Sequence, residues 1–242
     1  MRTAAILTLL AFRMTVPAAD IGSAIPPRCG QLVLVTAADW NVSAATVRRF
    51  ERAAPNAPWV AVGMPVAALL GERGLAWGLG LHVEPRGEAP RKREGDRRSP
   101  AGVFRFTGAF GSAAKIAGLK LPAQLLTPTL EAVDDPASRF YNRIVDRAGI
   151  VQPDWRSSER MSAMPDYALG LAVAHNPRSV PGAGSCIFLH LWSGSRRGTA
   201  GCTVLRERDL AALARWLDTA REPVLVQLPE AEVPRAISAR GS

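Results

Sequence analysis

The stretch GSCIFLHLWSGSRRGTAGCTVL, residues 184–205, holds one of the three histidines and two of the three cysteines in this 242-residue chain. His190 stands in an apolar, aromatic run, and Cys202 follows Thr199, Ala200 and Gly201 twelve positions later. An imidazole beside a thiol can take its proton, giving the thiolate–imidazolium pair of a cysteine nucleophile. A glycine just before the thiol lets a substrate carbonyl approach closely, and the Gly201 and Cys202 amides are candidate oxyanion donors. No Asp or Asn close in sequence offers to orient the ring, so a backbone carbonyl is the expected partner. Spacing alone leaves a second reading open, in which both side chains are simply buried, as free cysteines often are.

The elements around the pair must bring them together. SCIFLHLW reads as a strand, with Cys186, Phe188 and His190 on one face if the extended conformation holds throughout. The Gly- and Ser-rich segment after it can return the chain in a hairpin-like excursion, setting Thr199–Cys202 near the strand end. Upstream, QLVLVTAADW is a β-rich apolar run, and SAATVRRFERA has the apolar spacing of a short helix. AGVFRFTGAFG alternates as a half-buried strand, residues 118–148 read as irregular ordered loops, and YALGLAVAHN is a further strand. ERDLAALARWLD places Leu210, Leu213, Trp216 and Leu217 on one helical face, and PVLVQLP closes as a strand. With no regular strand–helix alternation, the expected fold is mostly β with packed helices (α+β) rather than a doubly wound parallel sheet.

Bulk properties narrow the function. Hydrophobic residues make up 48% and charged residues 21% of the chain, which is ordinary globular usage. No apolar run is long enough for a membrane-spanning helix, so no stable membrane insertion is expected. The segment MRTAAILTLLAF, followed by small residues, has the pattern of an export signal over residues 1–24, with cleavage after Ala18, Ala19 or Ala24. Residues 30–230 form the expected domain and 231–242 a loose tail. The net charge of +9 favours anionic partners in general. Its densest basic stretch, PRKREGDRRSPAG, lacks aromatic residues for base stacking; it reads as a solvated loop, and no nucleic-acid partner is expected. Three cysteines leave at least one free in an oxidising compartment, and a Cys29–Cys186 disulfide would leave Cys202 as that one. No His, Cys and Asp spacing suits zinc, so no metal is expected. His175, at a strand end, is a candidate substrate contact, with a structural hydrogen bond as its competing role; His82 has no partner pattern. Tyr141, Asn142 and Arg143 are candidates for organising a loop near the cleft.

GSCIFLH followed by GTAGCTVL resembles the active-site signature of the L,D-transpeptidase (YkuD-like) catalytic domain family. KREGDRRSPAGVF, VDDPASRFYNRIV, DWRSSERM and YALGLAVAHN are similar to further segments of that family, in the same order. The resemblance implies a YkuD-like β-sandwich or barrel, with Cys202 as nucleophile, His190 as base, and Thr199, Ala200 and Gly201 at the oxyanion and substrate site. It also implies an enzyme that acts on peptidoglycan stem peptides without a cofactor; with the export signal, the expected setting is the periplasm or cell envelope, and the expected state a monomer. The thiolate would attack the carbonyl of the third-position diamino acid and release D-alanine. A neighbouring stem amine would resolve the thioester to a 3→3 cross-link. Hydrolysis of the same thioester, as in an L,D-carboxypeptidase or endopeptidase, and a non-catalytic wall-binding module are the alternatives. Two positions depart from the family pattern: Val204 stands where many members carry arginine, and Leu191 where glycine commonly follows the histidine. Arg196 and Arg197 are candidates for the missing charge.

Overall fold

The computed structural model describes residues 21–55, 57–83, 87–194, 197–234 and 237. The strands are β1 (Gln31–Ala37), β2 (Ala44–Glu51), β3 (Val60–Ala61), β4 (Val66–Leu69), β5 (Leu75–Trp77), β6 (Ser99–Gly111) and β7 (Ala123–Leu125). They continue with β8 (Leu130–Val133), β9 (Arg143–Asp146), β10 (Ser158–Arg160), β11 (Leu169–Val173), β12 (Phe188–Leu191), β13 (Thr203–Leu205) and β14 (Val224–Pro229). Two α-helices join them, α1 (Ala113–Ile116) and α2 (Glu207–Trp216). The fold is mostly β, as expected.

Eight strands close a barrel in the order β1, β14, β6, β11, β12, β13, β4 and β2, with β2 pairing back onto β1. The β1–β14 and β12–β13 pairs are parallel, and the other pairs of the ring are antiparallel. Closure leaves the ring without open edges. β1 is buried along its whole length, as its continuous apolar run requires. Helix α2 packs Leu210, Leu213 and Ala214 into the main core, with Leu217 just beyond its end.

A second, three-stranded antiparallel sheet, in the order β10, β8, β9, forms from the region expected to be irregular and from residues just beyond it. It encloses a second core of Phe110, Leu130, Ala132, Met161, Tyr167 and Phe188, against which Cys186 and Cys202 pack. The strands here are three or four residues long, too short for a periodicity to stand out from the surrounding turns.

Residues 43–53, expected as a helix, contain strand β2 instead. Val47 and Phe50, at helix-like spacing, are its buried residues. In a strand these two point to opposite faces, and both faces of β2 are covered. Arg48 and Phe50 share one side with Leu34 and Thr36, under Val233 and Ile237, which leaves the opposite side for Val47. Pairing with β1 and β4 decides the outcome.

Residues 1–20, most of the expected export signal, lie outside the described residues. Ile21 and Ile25 are buried in the core, so cleavage after Ala18 or Ala19 would keep both, whereas cleavage after Ala24 would remove Ile21. The start of the expected loose tail is packed: Val233 contacts the core and Ile237 is 3% exposed.

Candidate active site

β12 and β13 run side by side and parallel, with Leu189 opposite Thr203 and His190 opposite Val204. The return between them is therefore a crossover rather than a hairpin. Thr203 donates to Gln227 Oε1 at 2.7 Å. Gln227 lies on β14, which is not a neighbour of β13 in the ring, so this bond crosses the barrel interior. Thr203 therefore points inward, and alternation sends Cys202 and Val204 outward. Phe188 and His190 share that outer face, beneath the small sheet. Cys186 does not continue the alternation, because its backbone is left-handed, with φ of +50°.

The imidazole is held as the sequence suggests. His190 Nδ1 lies 3.0 Å from the carbonyl oxygen of Leu191, which can only accept. The proton therefore sits on Nδ1, and Nε2 presents a lone pair. Tyr167 packs edge-on against the ring, with centroids 5.1 Å apart at 81°. Its hydroxyl donates to Glu159 Oε2 at 2.5 Å. Burial lowers the His190 pKa below the ordinary 6.5, with the Leu191 carbonyl and Asp166 opposing the shift, so the ring is neutral at pH 7.

Cys202 Sγ accepts the Phe188 amide at 3.3 Å and faces the Cys186 carbonyl at 3.7 Å. Burial, with the Glu159 carboxylate adding to it, pushes its pKa up to about 12 despite the Phe188 amide and Lys92. Both shifts favour the neutral thiol and the neutral imidazole in the resting protein. Burial is the largest cause of both shifts, and in this state proton transfer accompanies attack.

Two hydroxyls fix the Cys202 backbone. Thr199 Oγ1 donates to the Cys202 carbonyl at 2.5 Å and Ser99 Oγ at 3.2 Å. Ser99 in turn accepts the Gly71 amide at 2.8 Å. The Gly201 amide donates to Thr199 Oγ1 at 3.0 Å, so of the two amides considered for an oxyanion site it is committed to the loop. A Cβ on Gly201 would sit 3.2 Å from the Arg98 carbonyl, close enough that the backbone there would have to give by a few tenths of an ångström.

Cys202 separates two cavities. One, of about 190 Å³, is lined by His190, Trp192, Met164, Asp166, Thr199 and Val204. The other, of about 100 Å³, is lined by Lys92, Glu94, Asp134, Ser185, Cys186 and Gly201. Glu159, Tyr167, Ala200 and Cys202 line both. Val204, the position of a departure from the family pattern, thus faces the same space as the candidate dyad. Arg197 is exposed and lines neither cavity, and Arg196 lies outside the described residues.

Sequence reasoning assigned no site role to Lys92, Glu94, Asp134, Glu159 or Tyr167. The basic stretch read as a solvated loop folds over the site: the Lys92 side chain is 3% exposed, and its ammonium pairs with Asp96 at 2.5 Å. The family-like segments KREGD and SSERM carry Lys92, Glu94 and Glu159, and were the available signal.

His175 has a structural setting. Its Nδ1 accepts the Leu79 amide at 3.3 Å and its Nε2 donates to the Ala183 carbonyl at 2.9 Å, and it lines neither cavity at Cys202. Asn142 organises the loop behind the site. It donates to the His175 and Asn176 carbonyls and accepts the Cys186 amide, at 3.0, 2.8 and 2.8 Å. All three cysteines are free thiols, so the suspected Cys29–Cys186 disulfide is not formed. Cys29 donates to the Gln31 carbonyl and Cys186 to that of Val133.

A β-barrel carrying an imidazole on one strand and a thiol immediately before the adjacent strand, both on its outer face under a small second sheet, defines a class of cysteine-bearing barrel domain. The chain belongs to the YkuD family of L,D-transpeptidase catalytic domains, whose model matches residues 38–226. Among solved structures it is similar to the helical cell shape determining protein Pgp2 from Campylobacter jejuni, at 13% identity and a TM-score of 0.36. That similarity covers 86% of this chain and 53% of the other, so the chain spans about half its length. No curated protein matches.

Proposed function

We propose that this domain is an exported cysteine acyltransferase that cross-links peptidoglycan stem peptides. The observation that carries the reading is that Cys202 and His190 open into one cavity, with His190 Nδ1 tied to a carbonyl and Nε2 left as acceptor. In the first step Cys202 Sγ attacks the carbonyl carbon of the third residue while its proton passes to His190 Nε2. The C–N bond then breaks, the leaving D-alanine nitrogen takes that proton, and a thioester remains. An amine from a second stem attacks the thioester, giving its proton to His190. The C–S bond breaks, and the sulfur is reprotonated from the imidazolium. The Phe188 amide, already bonded to Sγ, supports the sulfur as it gains negative charge.

Incubation with disaccharide-tetrapeptides, followed by mass analysis of the products, tests the reaction. A cross-linked dimer with loss of D-alanine is the expected product. Shortened monomer alone would indicate hydrolysis of the same thioester, and no product with either outcome would favour a wall-binding module.

A further inference from the structure

The charge of the smaller cavity is at odds with that of the chain. The protein carries a net charge of +9, yet three carboxylates, Glu94, Asp134 and Glu159, line this space of about 100 Å³. Its one lining cation, Lys92, is already paired with Asp96 and bonded to the Arg93 carbonyl. Among the described residues, the hydrogen bonds to the three carboxylates come from neutral hydroxyls: Tyr141 and Ser185 to Glu94, Ser157 to Asp134, and Tyr167 to Glu159. Hydroxyl donors orient a carboxylate without neutralising it. Among the described residues no three His, Cys, Asp or Glu groups sit where they could share a metal ion. A single-point organic cation is the complement that remains.

Glu159 is the carboxylate that lines both cavities, and Cys202 lies at the same junction. Its orientation is set by the Tyr167 hydroxyl, whose ring is the one packed on His190. A ligand ammonium held at Glu159 is thereby tied to the two groups of the candidate dyad through one side chain on each side.

We propose that Glu159 is a specificity residue: it receives the primary ammonium of the stem peptide's third residue, seating the adjoining carbonyl at Cys202. This assignment rests on the peptidoglycan reading above. The small cavity suits an aminoalkyl end rather than a second peptide chain. Burial is the main reason the Cys202 thiol stays un-ionised, and an ammonium there offsets the Glu159 charge that adds to it, so the residue that selects the substrate also eases formation of the thiolate.

The test is equilibrium binding of two probes to the full chain bearing Cys202→Ala, which cannot turn them over. One probe is L-Ala-γ-D-Glu-L-Lys-D-Ala, and the other is the same peptide acetylated on the lysine amine. The free-amine peptide is expected to bind at least about tenfold more tightly. Adding Glu159→Gln is expected to abolish that preference, and Glu159→Asp to restore part of it. Equal affinity for the two probes, binding of neither, or a preference that survives Glu159→Gln overturns the assignment. Should Glu159→Gln not fold, the preference of Cys202→Ala alone decides. Carbapenem acylation of the wild-type chain, read by intact mass, reports on the nucleophile separately. Acylation without an amine preference sinks the Glu159 assignment alone.

Discussion

The Phe188 amide donates to Cys202 Sγ at 3.3 Å, so the candidate nucleophile is bonded to the strand that carries the candidate base, two residues before it. That bond favours the thiolate, yet burial dominates and pushes the thiol up to about 12. Substrate, rather than the resting protein, completes the activation in this account.

Alkylation of Cys202 by iodoacetamide in the absence of substrate should accordingly be slow. At pH 8 its rate is expected to fall at least about tenfold below that of an unhindered cysteine peptide, since the thiolate is the reactive form. Peptide mapping separates Cys202 from Cys29 and Cys186. A fast reaction with a plateau through neutral pH would mark a resting thiolate–imidazolium pair and contradict the neutral ground state.

Asn142 joins three backbone groups from two other segments while holding a left-handed φ of +63°. Asn142→Ala should cost about 3 kcal/mol, from the lost bonds and from a φ that alanine disfavours. Asn142→Gly, which accepts that φ, should cost less. Urea unfolding of the three proteins checks this, and a loss under about 0.5 kcal/mol for Asn142→Ala would contradict it.

His175 is 2% exposed, and burial lowers its pKa from 6.5 to about 4. The folded state therefore binds fewer protons than the unfolded state between those values, so stability falls as pH falls from about 6.5 to 4. The loss amounts to about 3 kcal/mol by linkage. Melting temperature against pH should show this slope in the wild type and a flatter one in His175→Gln. Equal slopes would rule His175 out as the cause.

Much of this architecture was legible in the sequence, and what was not has definite physical causes. β1, α2 and the strand bearing His190 follow from apolar patterns whose burial is simple, and the Leu191 carbonyl takes the role expected of a backbone orienter. β2 was misread because Val47 and Phe50 are buried on opposite faces, which imitates the spacing of one helical face. The parallel pairing of β12 and β13 was hidden because a Gly- and Ser-rich connection permits either direction of return. Glu159 and Tyr167 reach Cys202 only through the small sheet and the turn before β11, contacts without a local signature. Lys92 looked solvated because its partner, Asp96, stands in a run of charges that is usually exposed.

The central claim is that Cys202 is a nucleophile served by His190. Intact mass after meropenem exposure tests it most directly. The wild-type chain is expected to gain the mass of one opened carbapenem, Cys202→Ala to gain none, and His190→Ala to react about a hundredfold more slowly or less. An adduct that persists in Cys202→Ala, or its absence from the wild type, would contradict the account.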